Sequence, residues 1–178
     1  EGLFRGVQDV EITQAVNGDE ASLYGFEIAF QRGLDFLPGA LSGLGVYANY
    51  TYTYSEATLT GLAGTDPDEV STIALPGQAE HVGNFAVYYQ KSGYNIRLSA
   101  NFNGAYTTEI DGGDLYRIDD RVQWDFSFSK AVNSQFNVFL EAVNLTNTRR
   151  VDYLTTLDTP VTREFYGRWA RLGLKMNF

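Results

Sequence analysis

The sequence predicts an all-β protein, an antiparallel transmembrane β-barrel meander of about eight strands. Hydrophobicity alternates with period two over long runs, which a helix cannot produce. The runs reach about 12 residues, longer than a usual soluble strand and matched to the length that crosses a bilayer at a tilt. Tight turns alternate with long polar connections, the layout of a barrel with short turns at one rim and long loops at the other.

Taken in order, Val10 to Val16 reads as a short strand with Gln14 on its apolar side. Tyr24, Phe26, Ile28 and Phe30 alternate with Gly25, Glu27, Ala29 and Gln31. From Leu44 to Ser55, Leu44, Val46, Ala48, Tyr50, Tyr52 and Tyr54 oppose a face of Gly, Tyr, Asn, Thr and Ser. Val82 to Gln90 places Phe85, Val87 and Tyr89 on one side. The run Tyr94 to Thr107 is the longest, with Ile96, Leu98, Ala100 and Phe102 against Asn95, Arg97, Ser99 and Asn101. Val122, Trp124, Phe126 and Phe128 oppose Gln123, Asp125, Ser127 and Ser129. Phe136 to Leu145 alternates until it blurs near Asn144, where a bulge is expected. Leu172, Leu174, Met176 and Phe178 close the chain opposite Arg171, Gly173, Lys175 and Asn177.

Lys91-Ser92-Gly93 and Ala131 to Ser134 read as tight turns and Gly33 to Ser42 as a moderate one. Leu59 to Ile73, Glu109 to Asp119 and Asn147 to Thr162 read as long polar loops, while Asn17-Gly18-Asp19-Glu20 is short where a long one is due. A soluble sandwich or lipocalin-like barrel alternates too, with its apolar face turned into a core. Strand length favours the membrane, as does the clustering of aromatics near strand ends (Tyr94 and Tyr106; Tyr50, Tyr52 and Tyr54; Phe178), as in an interfacial girdle.

The composition narrows function. The chain has 178 residues, 13 Lys+Arg against 22 Asp+Glu, one His, no Cys and a net charge of -9. Excess acid argues against nucleic acid, which needs a basic stripe. Without cysteine there is no thiolate chemistry, Cys-ligated zinc or disulfide. Glu1-Gly2-Leu3-Phe4-Arg5 has no initiator Met, no basic n-region and no apolar h-region, so a signal peptide, if one existed, is gone from this sequence. The longest uncharged stretch, Phe36 to Ser55, carries Pro38, Gly39, Gly43, Gly45 and Asn49 and is no transmembrane helix.

Leu75-Pro76-Gly77-Gln78-Ala79-Glu80-His81-Val82, Phe139-Leu140-Glu141-Ala142-Val143-Asn144-Leu145-Thr146-Asn147 and Tyr166-Gly167-Arg168 before a last strand ending in Phe178 resemble the C-terminal barrel of TonB-dependent receptors. Leu37-Pro38-Gly39-Ala40-Leu41-Ser42-Gly43-Leu44-Gly45 followed by Ala48-Asn49-Tyr50-Thr51-Tyr52 is similar to the branch common in Xanthomonas- and Caulobacter-type bacteria. The resemblance implies a Gram-negative outer-membrane barrel of about 22 strands around an N-terminal plug, importing a scarce small-molecule nutrient with energy passed on by the TonB complex. Residues 1–178 then correspond to the C-terminal portion, without the plug, the N-terminal strands or a TonB-contacting segment. Implied partners are outer-membrane lipid, the barrel-assembly machinery and, through the missing N-terminal region, TonB. No cofactor is implied. Carbohydrate is slightly favoured over ferric siderophore as cargo. A self-contained eight-stranded barrel with a structural or adhesive role stays open beside this.

In a large barrel the odd-numbered polar residues face the lumen, making Glu27, Arg97, Asp125, Glu141, Arg171 and Lys175 candidates for a solute path or a plug contact; the plainer reading is a hydrated wall of paired charges. The ligand-loop candidates are Asp111, Asp114, Tyr116 and Arg117, with Tyr153 and Arg163 flanking the last long loop; as solvated loop residues they need no ligand. Arg171, Gly173, Met176 and Phe178 resemble the C-terminal signal for barrel insertion.

Enzymatic readings are weak. His81 beside Glu80 could serve as a base, but spacing places no nucleophile near it, so a hydrolase is only a third reading and no residue is assigned as catalytic. Asp111-Gly112-Gly113-Asp114 lacks calcium-loop spacing and no metal site is assigned. Gly43 to Ala48 fits G-x-G-x-x-A by chance, because it opens a strand instead of following one into a helix.

Overall fold

The computed structural model describes residues 20–60, 69–111, 114–155 and 157–177. The expected strand Val10 to Val16, most of the turn after it, and Phe178 lie outside the described residues. The elements in chain order are β1 (Glu20–Gly33), a 3-10 turn (Gly39–Gly43), β2 (Leu44–Thr60), β3 (Val70–Ile73), β4 (His81–Lys91), β5 (Tyr94–Asn103), β6 (Tyr106–Asp111), β7 (Asp114–Ile118), β8 (Arg121–Ala131), β9 (Phe136–Val143), β10 (Arg150–Leu154), β11 (Pro160–Glu164) and β12 (Trp169–Met176). The large sheet runs β1-β2-β4-β5-β8-β9-β12, with β3 added to the far end of β2. Every neighbouring pair is antiparallel, and among the described residues β1 and β12 form the two edges, so the described strands do not close a barrel.

The register sorts the side chains into two faces. Phe30, Ala48, Phe85, Ala100 and Trp124 form one cross-strand row. One residue along, Asn49, Asn84, Asn101 and Gln123 form a row on the opposite face. The apolar face is bare: Ile28 is 62% exposed, Leu172 74% and Leu174 55%. The buried apolar residues among those described are Ala57, Ala79, Ala86 and Tyr153, too small a set for a core. A soluble sandwich would place a second layer over the apolar face; nothing in the described chain covers it, which fits a wall whose solvent on that side is lipid.

That face is bounded by aromatics. At the long-loop end Tyr24 stacks on Tyr54 with centroids 4.9 Å apart, and Tyr52 lies 5.4 Å from His81. At the short-turn end stand Tyr89, Tyr94 and Phe128. His81 to Lys91 is the length of β4; at about 3.3 Å per residue and a tilt near 40° such a strand rises about 25 Å, the height of an outer-membrane apolar band.

The short turns are built as their residues require. Ser92 (φ 52°) and Gly93 (φ 77°) both adopt positive φ, the two-residue hairpin whose twist suits the flanking strands. Asn133 Oδ1 accepts from the Gln135 and Phe136 amides, each at 2.9 Å, closing the β8–β9 turn.

Three expectations are corrected. The run Tyr94 to Thr107 is not one strand: β5 stops at Asn103, the Gly104 amide donates to the His81 carbonyl at 2.8 Å, and Tyr106 begins β6 in another sheet. The alternation continues through the break because β6 alternates as well. The stretches expected as long loops also hold strands. Glu109 to Asp119 falls largely in the β6–β7 hairpin and Asn147 to Thr162 in β10 and β11, and these form a second sheet in the order β11-β10-β7-β6. The end of β2 and β3 take up the described parts of Leu59 to Ile73. The bulge expected at Asn144 is instead a strand end, where Asn144 turns the chain at φ 57°.

Candidate functional site

On the polar face the register brings four of the lumen candidates close. Tyr88, Arg97, Ser127, Glu141 and Arg171 occupy one row across five strands. Arg171 Nη2 donates to Glu141 and its guanidinium lies 5.5 Å from the Phe139 ring centroid. Arg97 lies 5.8 Å over the Tyr47 ring. Asp125 accepts from Gln123 Nε2 at 3.0 Å and from the Asn144 amide at 2.9 Å. A shallow depression of about 290 Å³ is lined here by Tyr88, Arg97, Ser127, Phe139 and Glu141. Glu27, opposite Thr51, and Lys175, opposite Asn137, stand away from this group. Gly173 faces Phe139, whose ring occupies the space a Cβ would need; thus Arg171 and Gly173 of the insertion-signal candidates both pack on one aromatic ring of the wall. Met176, opposite Phe136, lies on the exposed apolar face.

The loop candidates share the small sheet. Asp111 and Asp114 face one another across the β6–β7 tip. Tyr116 pairs with Leu154 and Arg117 with Tyr153, so Arg117 and Tyr153 lie side by side on one face. Tyr153 is 6% exposed, and Arg163, opposite Val151, sits on the outermost strand β11. Arg117 alone of the six reaches a cavity of about 280 Å³ between the far end of β2, the 72–80 connection and the β6–β7 hairpin. Its other polar walls include Glu56, Glu80, Gln78 and Thr107. Arg117 Nε is buried and has no hydrogen-bond partner. The cavity therefore offers a cation, carboxylates, an amide and hydroxyls, with Tyr54 and Tyr106 beside them.

Glu56, Gln78 and Thr107 were not singled out by sequence, and spacing gives no signal for them. They converge because β2 outruns β4: their pairing ends at Tyr52–His81, and the Thr53 amide then takes the Glu80 carbonyl at 2.9 Å. His81 sits on the outer face among tyrosines, its Nδ1 2.7 Å from the Tyr50 hydroxyl and its Nε2 3.9 Å from Glu80.

Two contacts steady the outer loops electrostatically. Arg150 donates to Asp152 through Nε (2.8 Å) and Nη2 (2.9 Å), and this bond raises its pKa above the ordinary arginine value. Tyr166 donates to Glu164, and that bond raises the phenol above its usual range. A raised folded pKa means the contribution is whole below the free tyrosine value, about pH 10, and is lost as pH climbs through the shifted value. Alkaline titration of tyrosinate absorbance should thus show one fewer late-ionising tyrosine in Glu164→Gln than in wild type; identical curves would mean the Tyr166–Glu164 bond does not form in solution.

Residues 3–145, most of the chain and all of β1 to β9, match the family described as TonB dependent receptor-like, beta-barrel. Comparison with curated proteins and with solved structures gave no match.

Proposed function

The chain belongs to the TonB-dependent receptor β-barrel family, and on that premise we propose that residues 1–178 are the C-terminal portion of a larger receptor whose plug and TonB-contacting segment precede them. Members of the family are outer-membrane transporters of Gram-negative bacteria, not enzymes, and take up small molecules with energy delivered through TonB. In this reading the large sheet supplies barrel wall and the small sheet lies at the extracellular mouth. One observation carries it: a sheet apolar and bare on one face, polar on the other, with its long connections gathered at one end over a polar cavity. The edges that β1 and β12 present among the described residues support a larger barrel, because an open edge in lipid leaves backbone groups without partners.

For the cargo, the mouth cavity favours a neutral polyhydroxylated solute over a ferric chelate. Arg117, Glu56, Glu80 and Gln78 together offer donors and acceptors, as sugar hydroxyls require. The 37–52 motif supports the Xanthomonas- and Caulobacter-type branch, which often handles carbohydrate. An antibody to residues 59–73 should detect in outer membranes a polypeptide several times larger than 19.8 kDa. A heat-modifiable band near 19.8 kDa would replace this proposal with the small self-contained barrel. In that parent receptor Arg117→Ala should weaken oligosaccharide retention about tenfold, the loss of one charged hydrogen bond, and leave siderophore-dependent growth unchanged. The opposite pattern would assign the site to a siderophore.

A further inference from the structure

The chain has three lysines, Lys91, Lys130 and Lys175, and all three lie at the short-turn end of the sheet. Acid collects at the other end, around Glu80, Asp119 and Asp120. Two of the lysines share more than an end. Lys91 pairs with Tyr94 and Tyr94 with Lys130, so Lys91, Tyr94 and Lys130 form one row across β4, β5 and β8. By the alternation of the strands this row is on the apolar face, one step beyond Tyr89, Ile96 and Phe128. The two lysine Cα atoms are then about 10 Å apart, two strand spacings.

Both side chains turn toward the rim. The Lys130 ammonium sits 3.6 Å from the Tyr94 ring centroid and donates to the Ser92 carbonyl at 2.7 Å. The Lys91 ammonium donates to the Gly39 carbonyl and the Ser42 hydroxyl. Their stems lie along apolar wall and their heads at its polar boundary, the posture of a snorkelling lysine. Lys91 uses two of its donors and Lys130 one, leaving at least one on each head. None of the ion pairs among the described residues involves a lysine, although acid outnumbers base. Two half-buried cations with spare donors and no carboxylate partner flank an exposed tyrosine at the edge of a lipid-facing wall.

We propose that the Lys91–Tyr94–Lys130 row is a binding site for the phosphate headgroup of an anionic phospholipid in the inner leaflet of the outer membrane. The phosphate takes the free ammonium donors, the Tyr94 hydroxyl lies at headgroup level, and the acyl chains run along Ile96, Leu98 and Phe128. This site goes beyond uptake, but it rests on the barrel reading that puts this face in lipid and the short turns at the periplasmic rim.

The test uses the receptor bearing this chain, extracted and reconstituted in phosphatidylcholine vesicles, with spin-labelled phosphatidylglycerol and phosphatidylcholine as competing probes. Wild type should hold phosphatidylglycerol preferentially, less so as salt rises. Lys91→Gln and Lys130→Gln should each cut the preference about fivefold. Lys91→Arg should keep it, and Lys175→Gln, which removes the same charge at the same end from the polar face, should leave it unchanged. An unaltered preference in Lys91→Gln/Lys130→Gln, or an equal loss in Lys175→Gln, overturns the site. A protein that associates with neither probe contradicts the membrane reading beneath it.

Discussion

Leu98→Arg is expected to destabilise the barrel by about 2–4 kcal/mol, the cost of arginine at the bilayer midplane on a lipid-facing strand position. Leu98 lies on the apolar face midway along β5, in a row with Val46, Val87 and Phe126. Asn101→Arg, three residues on and on the opposite face, should stay within about 0.5 kcal/mol, because that face meets water and Asp125 is close enough to welcome a cation. Urea unfolding of the receptor in phospholipid vesicles, with the yield of heat-modifiable protein as a second readout, separates the two. On a soluble sheet with a bare apolar face, both changes would be surface substitutions and both nearly silent. The difference between them is therefore the signature of lipid on one side only.

The same asymmetry explains how much of this fold was legible in the sequence. Alternation between two solvents is imposed at every residue of a membrane strand, so β1, β2, β4, β5, β8, β9 and β12 all coincide with runs read from the sequence. It is weaker in the small sheet: β6, β7, β10 and β11 are five or six residues each and rich in polar side chains, so their stretches read as polar loops even though Tyr106, Thr108 and Ile110 alternate and Tyr153 is buried. What holds them is one another: β7 pairs with β10, from a different connection, the Asp119 amide donates to the Val151 carbonyl at 3.0 Å, and the Thr155 amide donates to Leu115 at 2.9 Å. Pairing between segments some 35 residues apart leaves no local period to read.

The candidate site divides along the same line. The wall residues Arg97, Glu141 and Arg171 were on one face by alternation, and only the register was needed to place them in a row. Arg117 was visible as a loop cation, but its neighbours Glu56, Gln78 and Glu80 arrive from the β2 end and the 75–80 turn. Their convergence depends on where β2 stops pairing with β4, a matter of strand length that no motif encodes. The lysine row was hidden for a related reason. Lys91 and Lys130 end their strands, where a charge reads as turn punctuation until the register sets both beside Tyr94.

Asn144 holds these two regions together, and its loss should be felt as strongly as a charge in the bilayer. It is 4% exposed, and its side chain makes three hydrogen bonds: Nδ2 to the Thr148 and Gly167 carbonyls, both at 2.9 Å, and Oδ1 from the Thr148 amide at 2.7 Å. It thereby ties the exit of β9 to the approach of β12, across the whole connection that carries β10 and β11. At about 1 kcal/mol net for each bond, Asn144→Ala should cost about 3 kcal/mol, and a further 1 kcal/mol or so because alanine resists the positive φ held here. Asn144→Gly relieves the second contribution only, so it should fall between wild type and alanine. Asn144→Asp keeps the acceptor for Thr148 but turns a carboxylate oxygen toward two carbonyls, and it should be no better than alanine. Urea midpoints rank the three, while limited proteolysis of the 157–161 segment reports whether the small sheet has come loose from the wall. If all three variants unfold with wild type and resist protease equally, the β7–β10 pairing alone anchors the mouth. If they follow the expected order, one asparagine at the end of β9 sets the position of the small sheet, and with it the cavity that Arg117 lines.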